Sequence, residues 1–237
     1  MKIFPQFPWL HTAMSQKADG NMRIGSETFG LQRTNREENR KQFLRKEKIL
    51  SPLVTPYLVH GNSVAIVRDA ILPYVKDTDA LVTNVPGICL GVTVADCVPV
   101  FFVDPEKRVI GLAHAGWRGI VSGILEKTID VFIQQFQSDV KNIFVAIGPH
   151  IGSCHFEVQS DVFYQFSKDE RFEKDGKHTV DLSAACMHRL FSKGIERMHT
   201  DVHNECTTCE QDIYFSHRRD QKKDIEAMLS VIEICVD

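Results

Sequence analysis

The sequence predicts an α/β protein of the α+β kind, with a single domain over residues 1–237 built around a mixed β-sheet with flanking helices. Between Val64 and Ala113, short β-branched and apolar segments follow one another and are separated by Gly, Pro and Asp. Such crowding of strands indicates at least one mixed or antiparallel sheet. The 237 residues are 43% hydrophobic, which is enough to bury a core, and no internal repeat or linker-like tract divides the chain.

The N-terminal third is predicted to contain loops, one helix and one strand. Residues 1–33 mix Pro, Gly and polar residues without a period, which predicts loops, with short strands allowed around residues 22–29. From Thr34, a Thr-Asn-Arg-Glu capping box precedes a polar run to Leu50 that predicts a surface helix. Residues 53–60 contain Pro56, which fits an edge strand or a strand that begins after the proline. This strand is expected to bring His60 to a Gly-Asn turn.

The rest of the chain supplies the sheet and its covering helices. Short strands are predicted over residues 64–67, 80–83, 89–95, 98–103 and 109–113. The clearest helix is predicted over residues 117–136, where apolar residues recur at spacings of three and four. A buried strand over residues 143–147, a helix over 182–193 that stops at Gly194, and a last strand over 229–236 complete the prediction.

Charge and cysteine content narrow the classes of function. The formal net charge is -3 and both signs are mixed along the chain, which gives no electrostatic footprint for nucleic acid or an anionic membrane. Seven cysteines, an odd number, and an N-terminal segment without a long apolar core lead us to expect the reducing cytoplasm. No apolar run approaches the roughly 20 residues of a membrane helix. We therefore expect a soluble monomer or small homo-oligomer with a small, soluble partner.

Cys97 and His114 are the first candidates for a functional site because each lies at the end of an apolar, strand-like run. A free cysteine on its own is more often an inert buried thiol, since it behaves as a small apolar residue. Here Asp96 and Pro99 flank the cysteine, and Ala-Gly-Trp-Arg-Gly follows the histidine. Two adjacent strands that both end in polar groups indicate a shared function.

Two chemistries fit this pair. Zinc accepts nitrogen and sulfur ligands, and a catalytic zinc site uses three protein ligands with a fourth position open, so His60 would be the third ligand. Alternatively, Cys97 is a thiolate nucleophile and His114 is its base. Spacing along the chain does not separate the two.

Other polar segments are weaker candidates. The pair Cys206-Thr-Thr-Cys209 has the spacing of zinc ligands, but a structural site normally needs a second pair and no other Cys-x-x-Cys occurs. His155, after Cys154, is predicted to be a solvated loop residue. The basic segment 216–220 is predicted as a solvated charged face rather than an anion site. The sequence lacks a Gly-rich phosphate loop, a dinucleotide fingerprint and a Gly-x-Ser-x-Gly elbow, which excludes the commonest α/β enzyme classes.

Short motifs that span most of the chain form a recognisable set. The two most specific are Ala95-Asp96-Cys97-Val98-Pro99 and His114-Ala-Gly-Trp-Arg-Gly119. The others are Val59-His60-Gly61, Thr78-Asp79-Ala80-Leu81-Val82-Thr83, Ile147-Gly-Pro149, Val180-Asp-Leu182, and Phe215-Ser216 with Arg218-Arg219-Asp220. On these motifs the chain resembles the YfiH-type family, long labelled polyphenol oxidases or laccases and now regarded as zinc-dependent purine nucleoside phosphorylases.

The resemblance implies a single α/β domain, similar in fold to a bacterial toxin deamidase of the CNF type, with Zn²⁺ held by residues matching His60, Cys97 and His114. The implied reaction is phosphorolysis of adenosine, inosine and related nucleosides to free base and ribose 1-phosphate. Adenosine deamination and methylthioadenosine phosphorolysis are also attributed to the family.

Further residue roles follow from that implied chemistry. Cys97 and His114 are expected to be catalytic as well as ligands, and Asp96 is a candidate for proton transfer. Phosphorolysis needs a cationic pocket for phosphate. Arg118 is the first candidate for that pocket and Arg40 the second.

Two departures from the family pattern bear on the substrate pocket. Leu58 stands where the family usually has glutamine, and Gln221-Lys-Lys-Asp-Ile replaces the customary Gly-x-Thr-Gly-Arg. Three alternatives stay open, and the two departures support the last of them. The chain is a cysteine hydrolase or deamidase that uses Cys97 and His114, a copper polyphenol oxidase, or a non-catalytic metal-binding regulator. Copper is the less favoured metal, because the His-x-His pairs of multicopper sites are absent.

Overall fold

The computed structural model describes residues 3–24 and 31–236, with the backbone alone for residues 31–34. Its strands are β1 (Leu10–Met14), β2 (Leu53–Pro56), β3 (Val64–Ile66), β4 (Tyr74–Val75), β5 (Ala80–Thr83), β6 (Cys89–Val94), β7 (Val98–Asp104), β8 (Val109–Ala115), β9 (Phe144–Ile147), β10 (Arg171–Lys174), β11 (Lys177–Val180), β12 (Thr200–Val202) and β13 (Met228–Ile234). Its α-helices are α1 (Leu31–Lys46), α2 (Trp117–Ser122), α3 (Ile124–Phe136), α4 (Ser160–Phe163), α5 (Leu182–Ser192) and α6 (His217–Asp220).

Most of the strands form two mixed sheets. In the first sheet the order is β1-β13-β6-β2-β4, antiparallel from β1 to β6 and parallel from β6 to β4. In the second sheet the order is β12-β9-β7-β8-β5-β3, antiparallel in the centre and parallel at both edges. Strands β10 and β11 form a separate hairpin. The mixed sheet predicted from the crowded strands is confirmed, and a second mixed sheet accompanies it.

The second sheet is buried on both faces. Val100 and Phe102 of β7 pack with residues of α2, α3 and α5, whereas Phe101 and Val103 pack with residues of the first sheet. Successive side chains of a strand point to opposite faces, so its unbroken apolar runs match this double burial. On the far side, α1 packs Phe43 against the outer face of the first sheet. The layers are therefore α1, first sheet, second sheet, and the helices α2, α3 and α5.

The helix predicted over residues 117–136 is divided at Gly123. Its φ of 88° is left-handed, and it ends α2 and begins α3. The predicted amphipathic pattern is confirmed in α3, where Leu125, Ile129 and Phe132 are buried. A Cβ on Gly111 would lie 2.9 Å from Cε2 of Phe132, so this glycine lets the ring pack directly on the backbone of β8.

The N-terminal third differs most from its prediction. β1 lies in the segment predicted as loops, because its partner β13 is at the other end of the chain. α1 begins at Leu31, which places Thr34 inside the helix instead of at its cap. β2 ends at Pro56 and lies between β6 and β4, so the edge-strand prediction is wrong. The proline is tolerated because β6 pairs only with Leu53 and Val54. Residues 25–29 of the allowed short strands lie outside the described residues.

Among the described residues, no helix is both long and apolar enough to cross a membrane.

The N-cap of α5 gives a stability prediction. Asp181 Oδ1 accepts hydrogen bonds from the Ala184 N–H at 2.9 Å and from the Ser183 hydroxyl at 2.6 Å. Asp181→Ala should lower the free energy of unfolding by about 0.5–2 kcal/mol, because a cap acceptor is lost. Asp181→Asn keeps an acceptor oxygen and should retain most of the stability. Urea unfolding of both variants checks this, and equal losses would contradict a capping role.

Candidate metal centre

Three side chains meet at one point, which we call the first ligand group: His60, Cys97 and His114. Their ligand atoms all lie within 4.8 Å of one another. The imidazole rings of His60 and His114 are nearly perpendicular, with centroids 4.8 Å apart. All three residues were predicted from the sequence, and the fold brings them together.

Strand pairing places two of these residues side by side. β7 and β8 are antiparallel, with Pro99 opposite His114 and Val98 opposite Ala115. Cys97 directly precedes β7 and therefore lies beside the end of β8. His60 arrives from a loop rather than from the end of its strand, because β2 stops at Pro56. Its φ of 58° is in the left-handed region, which histidine tolerates better than most residues.

Asp79 forms hydrogen bonds with both histidines of the first ligand group. This fully buried carboxylate lies 3.0 Å from Nδ1 of His114 and accepts backbone N–H bonds from His60 at 3.0 Å and Gly61 at 2.8 Å. A carboxylate can only accept, so Nδ1 of His114 carries the proton and Nε2 is the ligand nitrogen. Such carboxylate–histidine pairs orient metal ligands. The sequence motifs include Asp79, but its role was not predicted; the available signal was a carboxylate directly before the fully buried strand β5.

The electrostatics favour a thiolate at Cys97. Burial alone would raise the pKa of this thiol, but His114 and His60 lower it to about 6. Burial would lower the pKa of His114, but Cys97 and Asp79 raise it to about 9. The pair therefore favours a thiolate beside an imidazolium. The thiolate is the form of cysteine that binds metals and attacks electrophiles.

Gly116 lets the three side chains of the first ligand group pack closely against the backbone. A Cβ at this residue would lie 3.1 Å from Sγ of Cys97 and 3.3 Å from Cδ2 of His60. Gly116→Ala should displace one of the two ligands at a cost of about 1–3 kcal/mol, which corresponds to about a 5-fold to 150-fold loss of metal affinity.

Competition with a chromophoric chelator measures this affinity. The control is Gly176→Ala, in open space in the β10–β11 hairpin, where the φ of 73° destabilises alanine without touching the metal centre. Equal metal affinity in the Gly116→Ala variant and the wild type would contradict the crowding argument.

Asp96, which was predicted to transfer protons, accepts hydrogen bonds from three segments that follow it in the chain. It is buried, with a φ of 83°, in the bend before Cys97. Its Oδ1 accepts from the Thr207 hydroxyl at 2.6 Å, and its Oδ2 accepts from the Arg218 N–H at 2.7 Å. Its carbonyl accepts from the Ile151 N–H at 3.0 Å. Three separate segments are thus fastened to the residue beside Cys97.

The two arginines predicted to bind phosphate lie in different places. Arg118 is exposed in the first turn of α2, with its guanidinium 4.2 Å from the centroid of the Trp117 ring. Arg40 is buried on α1, and its Nη1 donates to the carbonyls of Met22 and Arg23 at 3.1 and 3.2 Å. Arg40 lines a groove with Tyr74, and no member of the first ligand group lines that groove.

The basic segment at α6 is not the solvated face that was predicted. Arg218 Nη1 donates to the carbonyls of His155 and Glu157 at 3.1 and 2.8 Å. Arg219 donates to the carbonyls of Thr207 and Tyr214, each at 2.9 Å. Both guanidinium groups therefore hold loop backbone in place.

The segment that departs from the family pattern is tied to α1. Asp224 forms an ion pair with Arg36 and lies 3.9 Å from Nη1 of Arg23. The other departure, Leu58, is half-buried. The departing segment thus has ionic contacts of its own with the N-terminal part of the chain.

The mixed sheets and the His-Cys-His group together define the class of the protein, which is an α/β protein with a candidate metal centre. The family model described as multi-copper polyphenol oxidoreductase laccase matches residues 12–235. The chain therefore belongs to this laccase-like, YfiH-type family, as the motifs predicted.

Curated relatives carry two kinds of enzyme name. The chain is 36% identical over 155 residues to purine nucleoside phosphorylase YlmD of Geobacillus stearothermophilus, an alignment that spans 62% of this chain and 57% of that protein. It is 34% identical over 192 residues to purine nucleoside phosphorylase YfiH of Escherichia coli, spanning 78% and 76%. It is 32% identical over 186 residues to adenosine deaminase RL5 of an unknown prokaryotic organism, spanning 72% and 71%.

Solved structures share the fold. The crystal structure of YlmD from Geobacillus stearothermophilus matches with a TM-score of 0.88 at 30% identity, over 98% of this chain and 94% of that chain. The crystal structure of the hypothetical protein YfiH of Bacillus licheniformis matches with a TM-score of 0.85 at 29% identity, over 95% and 92%. The predicted fold class is confirmed.

Proposed function

We propose that the chain is a zinc-dependent purine nucleoside phosphorylase. It converts adenosine and inosine, together with phosphate, to free base and ribose 1-phosphate, and methylthioadenosine, as a further substrate, to adenine and the methylthio-substituted ribose 1-phosphate. Adenosine deamination is a second activity. The observation that carries the proposal is the meeting of His60, Cys97 and His114 within 4.8 Å. The names of the relatives supply the substrate class.

Zinc fits the donor set of the first ligand group. Two imidazoles and one thiolate are the nitrogen and sulfur ligands that zinc prefers, and three protein ligands leave one position for water or substrate. Copper accepts the same donors, so the metal must be identified by measurement. When bound, zinc supplies Lewis-acid chemistry by polarising an oxygen of water or substrate.

The chain's own residues orient this centre. Asp79 accepts hydrogen bonds from Nδ1–H of His114 and from the backbone N–H of His60, so one carboxylate positions both histidine ligands. Gly116 has no side chain to crowd Sγ of Cys97 and the ring of His60, so the ligand atoms keep their positions. Asp96 positions the bend that carries Cys97, because both of its carboxylate oxygens accept hydrogen bonds. To transfer a proton, Asp96 has to release one of these two hydrogen bonds.

Phosphorolysis also needs a place for the second substrate. A phosphate oxygen forms a bond to C1′ of the ribose while the C1′–N9 bond breaks, and the purine keeps the electron pair and takes up a proton. Arg118 supplies a cation for the phosphate, because its exposed guanidinium follows Gly116 closely in the chain. Arg40 is the second candidate, although backbone carbonyls of Met22 and Arg23 already occupy its Nη1.

The test is a substrate assay on metal-analysed protein. Adenosine and inosine are incubated with and without phosphate, and bases, nucleosides and ribose 1-phosphate are separated by chromatography. We expect phosphate-dependent release of adenine and hypoxanthine by zinc-loaded protein. Phosphate-independent conversion of adenosine to inosine reports the deaminase activity. Zinc-loaded protein that releases no base would overturn the proposal and favour a metal-binding regulator, and oxidase activity with copper alone would favour the polyphenol oxidase.

One observation supports a second candidate, a cysteine hydrolase or deamidase. Asp79, His114 and Cys97 form a carboxylate–imidazole–thiolate series, with 3.0 Å between the carboxylate and Nδ1. This series is the arrangement of a cysteine nucleophile with its base and orienting group. Metal-independent alkylation of Cys97 that abolishes activity would support it, whereas protection of Cys97 by zinc would count against it.

A further inference from the structure

Three cysteines and one histidine form a second ligand group: Cys154, His155, Cys206 and Cys209. The first two lie in the loop after β9, and the last two lie in the loop after β12. Their ligand atoms all lie within 4.8 Å of one another. The second ligand pair that a zinc site at Cys206 and Cys209 needs is therefore Cys154 and His155, which lie beside them in the fold. His155 is exposed as predicted, but its Nδ1 faces the three sulfurs.

The spacing within this group matches a tetrahedral metal site. The Sγ atoms of Cys154 and Cys209 are 3.8 Å apart. Nδ1 of His155 lies 3.2, 3.5 and 3.7 Å from the sulfurs of Cys154, Cys209 and Cys206. Around a tetrahedral zinc with bonds of about 2.3 Å to sulfur and about 2.0 Å to nitrogen, two sulfurs lie about 3.8 Å apart and nitrogen lies about 3.5 Å from sulfur.

We propose that the second ligand group is a closed Cys₃His site that binds Zn²⁺ and serves structure rather than catalysis. Four protein ligands leave no open coordination position, which is the mark of structural zinc sites. The proposal is independent of the reaction at the first ligand group.

Backbone donors around Cys206 support a thiolate ligand there. The Gly152 N–H donates to its Sγ at 3.2 Å, and the N–H groups of Thr208 and Cys209 also point at this sulfur. Hydrogen bonds of this kind stabilise the charged form of an acid. A Cβ on Gly152 would lie 3.2 Å from Sγ of Cys154, so the glycine leaves room for the sulfurs to converge.

The second site would brace the first. Thr207, inside the Cys-x-x-Cys turn, donates to Asp96 at 2.6 Å. Arg218 donates its side chain to the carbonyl of His155 and its backbone N–H to Asp96. Both loops of the second ligand group thus converge on the residue beside Cys97. A metal that joins the loops therefore stabilises the bend that carries a ligand of the first group.

A disulfide is the competing use of these thiols. The 3.8 Å between the sulfurs of Cys154 and Cys209 is far longer than a disulfide bond of about 2.05 Å, and a disulfide would leave Cys206 and His155 without a role. Metal content and thiol chemistry, measured on the same protein, separate the two.

The first experiment counts metal on the full chain, loaded with zinc under reductant and then desalted. We expect two zinc ions per chain in the wild type and one in the Cys206→Ser, Cys209→Ser double variant. Cys97→Ala should also hold one, and the combined triple variant none. Cys235→Ser, outside both groups, is the control and should hold two. One zinc ion in the wild type, lost only with Cys97→Ala, would overturn the proposal.

The second experiment needs no variant, so a folding defect cannot obscure it. Cys154 and Cys209 are exposed, and alkylation followed by peptide mass spectrometry reports each thiol separately. We expect zinc to slow alkylation of both at least tenfold, with the fast rate restored by a chelator. Cobalt substitution should add the visible bands of a tetrahedral, sulfur-rich site. Equal rates with and without zinc, or a Cys154–Cys209 disulfide in protein kept under reductant, would overturn the proposal.

Discussion

Cys97→Ala is expected to empty the first ligand group and to lower phosphorolysis of adenosine by more than about 100-fold. Loss of a residue that merely supports a metal ligand costs about 10–100-fold, and Cys97 is itself the sulfur ligand of the group. The two imidazoles that remain cannot hold zinc tightly on their own. Metal analysis and the chromatographic assay on the same preparation measure both effects. Cys235→Ser is the matched control, and a Cys97→Ala variant with full activity would contradict both the metal and the nucleophile hypotheses.

His60→Asn then separates those two hypotheses. His60 belongs to the ligand group but not to the series of Asp79, His114 and Cys97. Asparagine tolerates the left-handed φ of 58°, so the backbone is kept while the imidazole is lost. The metal hypothesis expects zinc and activity to fall together. The cysteine hydrolase hypothesis expects metal-independent alkylation of Cys97 and turnover to persist, only slowed, because His114 still lowers the pKa of the thiol.

Sequence patterns predicted the central strands β7 and β8 better than the N-terminal third of the chain. The apolar runs of β7 and β8 are long and lie next to each other in the chain, so local pattern and final pairing agree. β1 depends on β13 across the whole length of the chain, and a partner so distant leaves no local signal. The break at Gly123 was missed for a related reason, since apolar spacing continues through it and only the left-handed φ of 88° divides the helices.

For the ligand sites, the residue types in the sequence identified candidate ligands, but the sequence did not show which distant residues become neighbours in the fold. His60, Cys97 and His114 were predicted because each interrupts or ends an apolar run. The partner pair of Cys206 and Cys209 was not, because Cys154-His155 has no recognised ligand spacing and lies in a distant loop. The basic segment at α6 was misjudged because carbonyls that bind Arg218 and Arg219 come from loops whose positions only the fold defines.

Asp79→Asn should weaken metal binding by about 10–100-fold, as expected for the partner of a ligating histidine. The carboxylate accepts hydrogen bonds from the backbone N–H groups of Val59, His60 and Gly61 and from Nδ1 of His114. An amide replaces one acceptor oxygen by an NH₂ donor. This NH₂ group would face some of the same N–H donors, and their hydrogen bonds would be lost. Each charged hydrogen bond lost should cost about 1.5–3 kcal/mol of folding free energy. Asp77→Asn, exposed and nearby, is the control.

The same variant should change how stability depends on pH. Burial alone would raise the pKa of Asp79, but His114 and the backbone N–H groups bring it below the usual value of 3.8. A carboxylate with a lowered pKa in the folded state contributes stability that is present above pH of about 4 and is lost as the pH falls through the folded pKa. Metal-free wild type should therefore lose its advantage over Asp79→Asn below pH of about 4. Urea unfolding from pH 7 to pH 3 measures the difference, and a constant gap would mean that Asp79 is not the ionised acceptor that orients His114.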